Sequence, residues 1–182
     1  MDYIEGQPLS KIWLELSAHQ KQVIAKQLRE ILLVMRALPA PGSYVGDCAG
    51  NHVYDARSYF SNTGPACRDE QGFNDFLLSG LFRKIPLPVR AAFAGCLRSD
   101  HRIVFTHGDL APRNIMARDC KIISIIDWEE AGWYPEYWEY VKFLDRSSTE
   151  DGDWGDYTDL IFQQSYSDEL VCYTAMSRWY AP

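Results

Sequence analysis

Apolar residues recur at helical spacing through Ile24, Leu28, Ile31, Leu32, Met35 and Leu38, which predicts a long helix with one buried face. Ser17 and Gln20 stand before it as an S-x-x-Q capping box, and Pro39 ends the run. Ahead of it, Met1 to Ile4 read as the end of a strand that breaks into a turn at Glu5-Gly6-Gln7-Pro8. Residues 40–72 are rich in Gly, Pro, Asn, Asp and Ser. They predict a long loop with one short element around Val53 to Phe60. Asn74 is a candidate cap for a short helix through Phe82, and Pro88 suits the first turn of another that reaches Leu97. The pattern then changes period. Ile103 to Thr106, Ile115 to Ala117 and Lys121 to Ile126 read as strands, with Arg118-Asp119-Cys120-Lys121 as a hairpin turn. Glu136 to Leu144 and Thr158 to Tyr173 read as helices, separated by a polar loop from Ser147 to Gly155.

The fold expected is α+β and mainly α-helical: helices, then a small β-hairpin cluster, then helices. The 182 residues fit one domain. The chain is 47% hydrophobic and 14% aromatic, enough for a real core and against disorder. A net charge of −7 weighs against a nucleic-acid partner. The charge is uneven, because 14 Asp/Glu but only 4 Lys/Arg lie from Asp119 onward. That imbalance fits a solvated acidic surface, or a cationic ligand. The five cysteines contain no C-x-x-C pair, so neither a disulfide framework nor a zinc site is expected. With no signal-peptide pattern at the start and no apolar run of membrane-spanning length, a cytoplasmic protein without a membrane partner is the expectation.

Chemistry concentrates on the hairpin cluster. Asp109 and Asn114 are five apart, in a loop opened by an apolar strand, and Asp127 ends the next apolar strand. Phosphoryl transfer needs such parts: a carboxylate to orient the attacking hydroxyl, and oxygen ligands to hold Mg²⁺ against nucleotide phosphates. Magnesium prefers hard oxygen donors, which Asp127 and the amide oxygen of Asn114 would supply. Each residue has a plainer reading. Asp109 suits a turn, Asn114 is a common turn residue, and Asp127 could be a surface acid or a helix cap. The three in register favour the chemical reading.

The loop HGDLAPRN has the spacing of the protein-kinase catalytic loop. Gly before the Asp, and Asp-Trp at the end of the next strand, resemble the aminoglycoside phosphotransferases and the wider phosphotransferase enzyme family. The segment IIDWEEAGWYPEYWEY resembles that family's continuation, and MDYIEG resembles its hinge strand. The resemblance runs from the hinge to near the C-terminus. It implies a kinase-like carboxy-terminal lobe over 1–182, with a hinge remnant at 1–6, a loop-rich insertion at 40–72, catalytic and metal loops at 103–130, and carboxy-terminal helices at 136–182. It implies ATP as co-substrate and Mg²⁺ as cofactor, with a hydroxyl of a small molecule as acceptor. By resemblance, Asp109 is the catalytic base, Asn114 and Asp127 are the metal ligands, and His107 braces the loop. Met116 and Ile126 form the apolar floor of the adenine pocket, and Met1, Asp2, Tyr3 and Ile4 are the hinge beside the adenine edge.

Arg113 fits two roles equally, a cation for the transferred phosphoryl or the partner of a nearby acid. Glu129, Glu130, Glu136 and Glu139, with Trp133, Tyr134, Tyr137 and Trp138, form an acidic, aromatic stretch. Most of it reads as core rings and solvated acids. Glu136, Glu139 and Trp133 are the candidates for an amine-bearing substrate, held by charge and cation–π contact. No G-x-G-x-x-G loop and no V-A-I-K-like strand occur. The lobe that covers ATP is therefore expected to be missing and the chain alone to turn over weakly or not at all. Apolar residues Ile4, Met116 and Ile126 would then be exposed on the hinge side and promote self-association. The alternative is a non-catalytic lobe that binds a ligand or a protein.

Overall fold

The computed structural model describes residues 4–42, 44–57 and 60–180. The chain is α+β, with helices around small antiparallel sheets. Strand β1 (Gln7–Pro8) leads into a short helix α1 (Leu9–Ile12) and then the long helix α2 (Ala18–Arg36). The capping box of α2 forms as the sequence predicts: Ser17 Oγ accepts from the Gln20 amide, and Gln20 Oε1 accepts from the Ser17 amide. The face of Ile24, Leu28, Leu32 and Met35 is buried, as the period required. Gln27 on α2 donates to the Cys120 carbonyl at 2.8 Å and accepts from the Ile122 amide at 3.1 Å, so the helix grips the turn of the hairpin that follows Asn114.

That hairpin consists of β6 (Ile115–Arg118) and β7 (Lys121–Ile125), and β1 adds a third strand on β6. Asp119 (φ 51°) and Cys120 (φ 59°) both take the left-handed conformation. A two-residue hairpin turn demands this at both central positions, because it matches the strand twist. A second sheet has the order β2 (Gly46–Asp47), β8 (Gly132–Pro135), β5 (Ile103–Thr106). The loop expected over 40–72 is a correction: β3 (His52–Arg57) pairs with β4 (Phe60–Pro65) as a hairpin, from Arg57↔Phe60 to His52↔Pro65. Its strands alternate too many polar and small residues to show a period, and their pairing is what stabilises them.

Helix α3 (Glu70–Ser79) begins earlier than Asn74. Asp69 caps it by accepting from the Gly72 amide, while Asn74 is buried inside it and donates to the Arg98 carbonyl at 2.6 Å. Helix α4 (Leu87–Cys96) holds Pro88 in its first turn, as predicted. The helix expected over 136–144 starts two residues later, as α5 (Trp138–Asp145), just after β8 ends at Pro135. The expected helix 158–173 is broken into α6 (Thr158–Ile161) and α7 (Ser167–Ser177). The break lets the Phe162 and Tyr166 rings both pack on Tyr140, at 5.3 and 5.8 Å between centroids. Each such ring contact contributes about 0.5–1.5 kcal/mol beyond the area it buries.

The core is strongly aromatic. Trp13, Phe73, Tyr134, Trp138, Phe143 and Trp154 are fully buried, and Phe73 meets Trp138 edge-on at 4.9 Å. Ile4, Met116 and Ile126 are each half-buried. The most exposed large apolar side chains, Leu87, Val34, Val171 and Leu14, lie on other elements, while Trp128, two residues after Ile126, is also exposed. Among the described residues, no helix is long and apolar enough to cross a membrane.

Candidate active site

Strand β5 ends at Thr106 and delivers His107-Gly108-Asp109 to the top of its sheet. Gly108 has φ +85°, and a Cβ there would come within 3.0 Å of the Glu130 carbonyl. The loop therefore needs glycine both for its backbone and for its close approach to the segment after Asp127. His107 is buried and joins the two halves of the site. Its Nδ1 accepts from the Asp109 amide at 3.1 Å, so its proton sits on Nε2, which donates to the Ile126 carbonyl at 3.0 Å. This is a bracing role, joining the 107–114 loop to the end of β7.

Asp109, Asn114 and the Asp127 segment are brought together by backbone as well as side chains. The Asn114 amide group donates to the Asp109 carbonyl at 3.0 Å and to its carboxylate at 2.8 Å. The Ile126 amide donates to the Asn114 carbonyl at 2.9 Å. The Asn114 amide nitrogen is thus spent on Asp109, which leaves its side-chain oxygen available to a cation. Asp127 is exposed and adopts φ 64°. Trp128 is fixed beside it: its indole donates to the Ile125 carbonyl at 2.8 Å, and its ring meets His107 edge-on at 4.6 Å.

The two readings of Arg113 are resolved in favour of an acid partner in this state. Its guanidinium pairs with Asp109 at 2.5 Å, and its side chain is half exposed. A second cation appears that the sequence did not single out. Arg146, just past α5, stands 3.8 Å from the Asp109 carboxylate and 2.6 Å from Glu130. Burial pushes the Glu130 carboxyl up, with Arg146 acting against that rise. One turn earlier on the same helix face, Lys142 is completely buried. It pairs with Asp55 of β3 at 3.3 Å, donates to the Ala56 carbonyl and reaches the Tyr173 hydroxyl at 3.2 Å. Arg146 donates to that same Ala56 carbonyl at 3.1 Å. The β3–β4 hairpin is therefore pinned to α5 by two cations, one of which also faces the catalytic loop. The available signal was a Lys and an Arg four apart on a helix otherwise rich in apolar residues.

The three proposed substrate residues are corrected by where they sit. Glu139 is 1% exposed, and its two carboxylate oxygens accept from the His107 and Gly108 amides at 2.5 and 3.0 Å. It holds the catalytic loop from beneath. Glu136 pairs with Arg102 at the opposite end of β5. Trp133 is buried against Phe105, with ring centroids 5.3 Å apart. The hinge residues Met1, Asp2 and Tyr3 lie outside the described residues.

Glu139 also makes a testable contribution to stability. Burial raises its carboxyl above the ordinary range, with His107 and the two amides opposing the rise. An acid with a raised folded value stabilises below its unfolded value, about 4.3, and loses that contribution as pH climbs through the folded value. Glu139→Gln can accept from only one of the two amides with its single carbonyl oxygen, which should cost about 1–3 kcal/mol. It should also flatten the decline of stability with rising pH above the ordinary glutamate range. Urea titrations at a series of pH values check both, and an unchanged slope would remove Glu139 from the linkage.

The family model for the phosphotransferase enzyme family matches residues 1–168. The chain belongs to that family. No curated relative matches it. Among the described residues of this phosphotransferase-family chain, no group of three or more His, Cys, Asp or Glu could hold a metal alone. One carboxylate and one amide oxygen, Asp127 and Asn114, suit an ion bound jointly with the phosphates of a nucleotide.

Proposed function

We propose that the chain is a kinase-like carboxy-terminal lobe that transfers the γ-phosphoryl group of ATP to a hydroxyl of a small molecule. The observation that carries this reading is the bonded unit Asp109–Asn114–Ile126. It holds one carboxylate, one amide oxygen and the start of the Asp127 turn in a single rigid loop pair. Asp109 orients the acceptor hydroxyl and takes its proton. Mg²⁺ held by Asn114 and Asp127 would supply charge neutralisation at the phosphates. Met116 and Ile126 contribute apolar surface for the adenine. Arg113, half exposed on a flexible stem, can leave Asp109 for an arriving phosphoryl group.

The acceptor is assigned to a cavity of about 210 Å³ beside the catalytic loop. It is lined by Asp47, His52, Tyr54, Glu129, Glu130 and Tyr134 among others. Asp47 accepts from three backbone amides, which outweigh burial and hold its carboxyl below the usual range. These acids and rings replace Glu136, Glu139 and Trp133 as the wall suited to a cationic, hydroxylated acceptor.

Calorimetric titration of Mg-ATP into the wild type and Asp127→Asn tests the nucleotide half of this reading. The variant should bind at least about tenfold more weakly, the loss of one charge-assisted metal contact. Equal affinities would take Asp127 out of the site. Absence of any magnesium-dependent binding in the wild type would favour a ligand- or protein-binding lobe.

A further inference from the structure

His101 stands two residues before β5, the strand whose other end delivers His107-Gly108-Asp109. Both of its ring nitrogens meet glutamates. Nδ1 lies 2.7 Å from Glu70 in the first turn of α3, and Nε2 lies 3.2 Å from Glu169 in the first turn of α7. Glu70 also accepts from the His101 backbone amide at 2.9 Å, which fixes the ring against it. The side chains of His101, Glu70 and Glu169 are only 5%, 4% and 11% exposed, so water cannot replace a missing partner. A neutral imidazole has one N–H and one bare nitrogen. Two carboxylates and a neutral ring therefore make one hydrogen bond and leave the other carboxylate facing a lone pair. One further proton turns both contacts into hydrogen bonds. The groups around the trio are otherwise engaged or neutral. Arg98 stands 3.9 Å from Glu169 but is mostly exposed and pairs with Asp100 at 2.8 Å. Glu136 is paired with Arg102, and Asp168 is exposed. The Tyr137 and Tyr166 rings pack on the imidazole at 4.8 and 6.2 Å between centroids. Burial pushes both of their hydroxyls up, and the Cys172 thiol up to about 12, so these three stay neutral.

We propose that one proton held among Glu70, His101 and Glu169 is a pH-sensitive latch, which docks α7 on α3 and on the foot of β5 and releases it as pH rises. The release carries along α7. Tyr173, one turn beyond Glu169, donates to Asp55 at 2.6 Å and meets Lys142 at 3.2 Å. Those contacts hold the β3–β4 hairpin, whose His52, Tyr54 and Thr63 line the cavity of about 210 Å³. The latch thus sits at one end of a helix whose next turn supports the wall of that cavity. The sign follows from linkage. Burial raises the Glu70 carboxyl, with the His101 amide and ring opposing the rise. A folded state that holds a proton more tightly than the unfolded chain is stabilised at low pH and loses that contribution as pH rises. The loss therefore lies above the ordinary glutamate value, about 4.3.

The test is amide hydrogen exchange of the full chain from about pH 5 to about pH 9, corrected for the intrinsic pH dependence of exchange. It needs no nucleotide or acceptor, so its outcome is independent of the phosphoryl-transfer reading. The opening equilibrium of α7 should rise about tenfold or more relative to that of α2 across this range, the effect of one coupled proton over one pH unit. The nitrogen signals of the His101 ring should move over the same interval by NMR. Glu169→Gln should abolish the rise specific to α7, because its amide group donates to the bare Nε2 of a neutral ring and no extra proton is needed. The linkage expected at Glu139 is present in both proteins and cancels in the comparison. Wild-type α7 that opens no more at high pH than α2 would overturn the proposal, as would an equal rise in Glu169→Gln. The wild-type series, with the ring signals, decides the matter even where the variant folds poorly.

Discussion

Lys142→Met will lower the free energy of unfolding by about 3–5 kcal/mol, the usual cost of removing one partner from a buried ion pair. The side chain is fully buried, and burial pulls its ammonium below the ordinary lysine range, with Asp55 opposing that pull. Its charge survives there because Asp55, the Ala56 carbonyl and the Tyr173 hydroxyl surround it. Methionine fills much of the volume but leaves the Asp55 carboxylate and the Ala56 carbonyl in the core without that cation. Urea denaturation should show a lower midpoint with the slope unchanged. The double variant Asp55→Asn/Lys142→Met should recover part of the loss, because the uncompensated charge is gone. Additive effects of the two substitutions would show that the pair is not energetically coupled.

Fused behind a compatible ATP-covering lobe, the chain will lose roughly 10²–10⁴-fold of its phosphoryl transfer on Asp109→Asn, the range for loss of a positioned general base. The substitution keeps the shape of the side chain and an oxygen for the Asn114 amide, so the loop should hold. Mg-ATP affinity should stay within about threefold, because the metal ligands proposed above are Asn114 and Asp127, not Asp109. The readout is acceptor-dependent ADP release under saturating Mg-ATP, alongside calorimetry. A variant that keeps wild-type turnover would remove Asp109 from the chemistry. One that loses nucleotide affinity in parallel would reassign it to binding.

Much of this arrangement is written locally in the chain. The Ser17–Gln20 cap, the buried stripe of α2, the strand at Ile103–Thr106 and the turn at Asp119-Cys120 each depend on residues a few positions apart. Period and turn chemistry therefore suffice to find them. The closeness of Asp109, Asn114 and Ile126 is local in the same way, since the loop and the next hairpin are short. What escaped depends on partners distant in sequence. Whether Glu139 faces a ligand or the amides of His107 and Gly108 is decided by how α5 packs under β5. The pairing of His52–Arg57 with Phe60–Pro65 is supported by Lys142 and Arg146, more than eighty residues away. An acidic residue in a sequence shows its charge but not its partner: Glu136 and Glu139 read as substrate candidates, whereas their partners are Arg102 and the His107 and Gly108 amides.

The left-handed backbone at Asp127 bears on what drift can install at that position. Most side chains lose about 1 kcal/mol or more there, and only Gly, Asn and Asp take the conformation readily. A lineage released from any need for the charge would therefore face three conformationally permitted choices, two of them neutral. The permitted choice found here is the acidic one, and it lies exposed at the mouth of the catalytic loop. Backbone strain accounts for the narrow choice but not for the charge. Asp127→Asn and Asp127→Gly consequently form a matched pair of historical alternatives: both spare the turn, and both erase the negative charge that the turn presents.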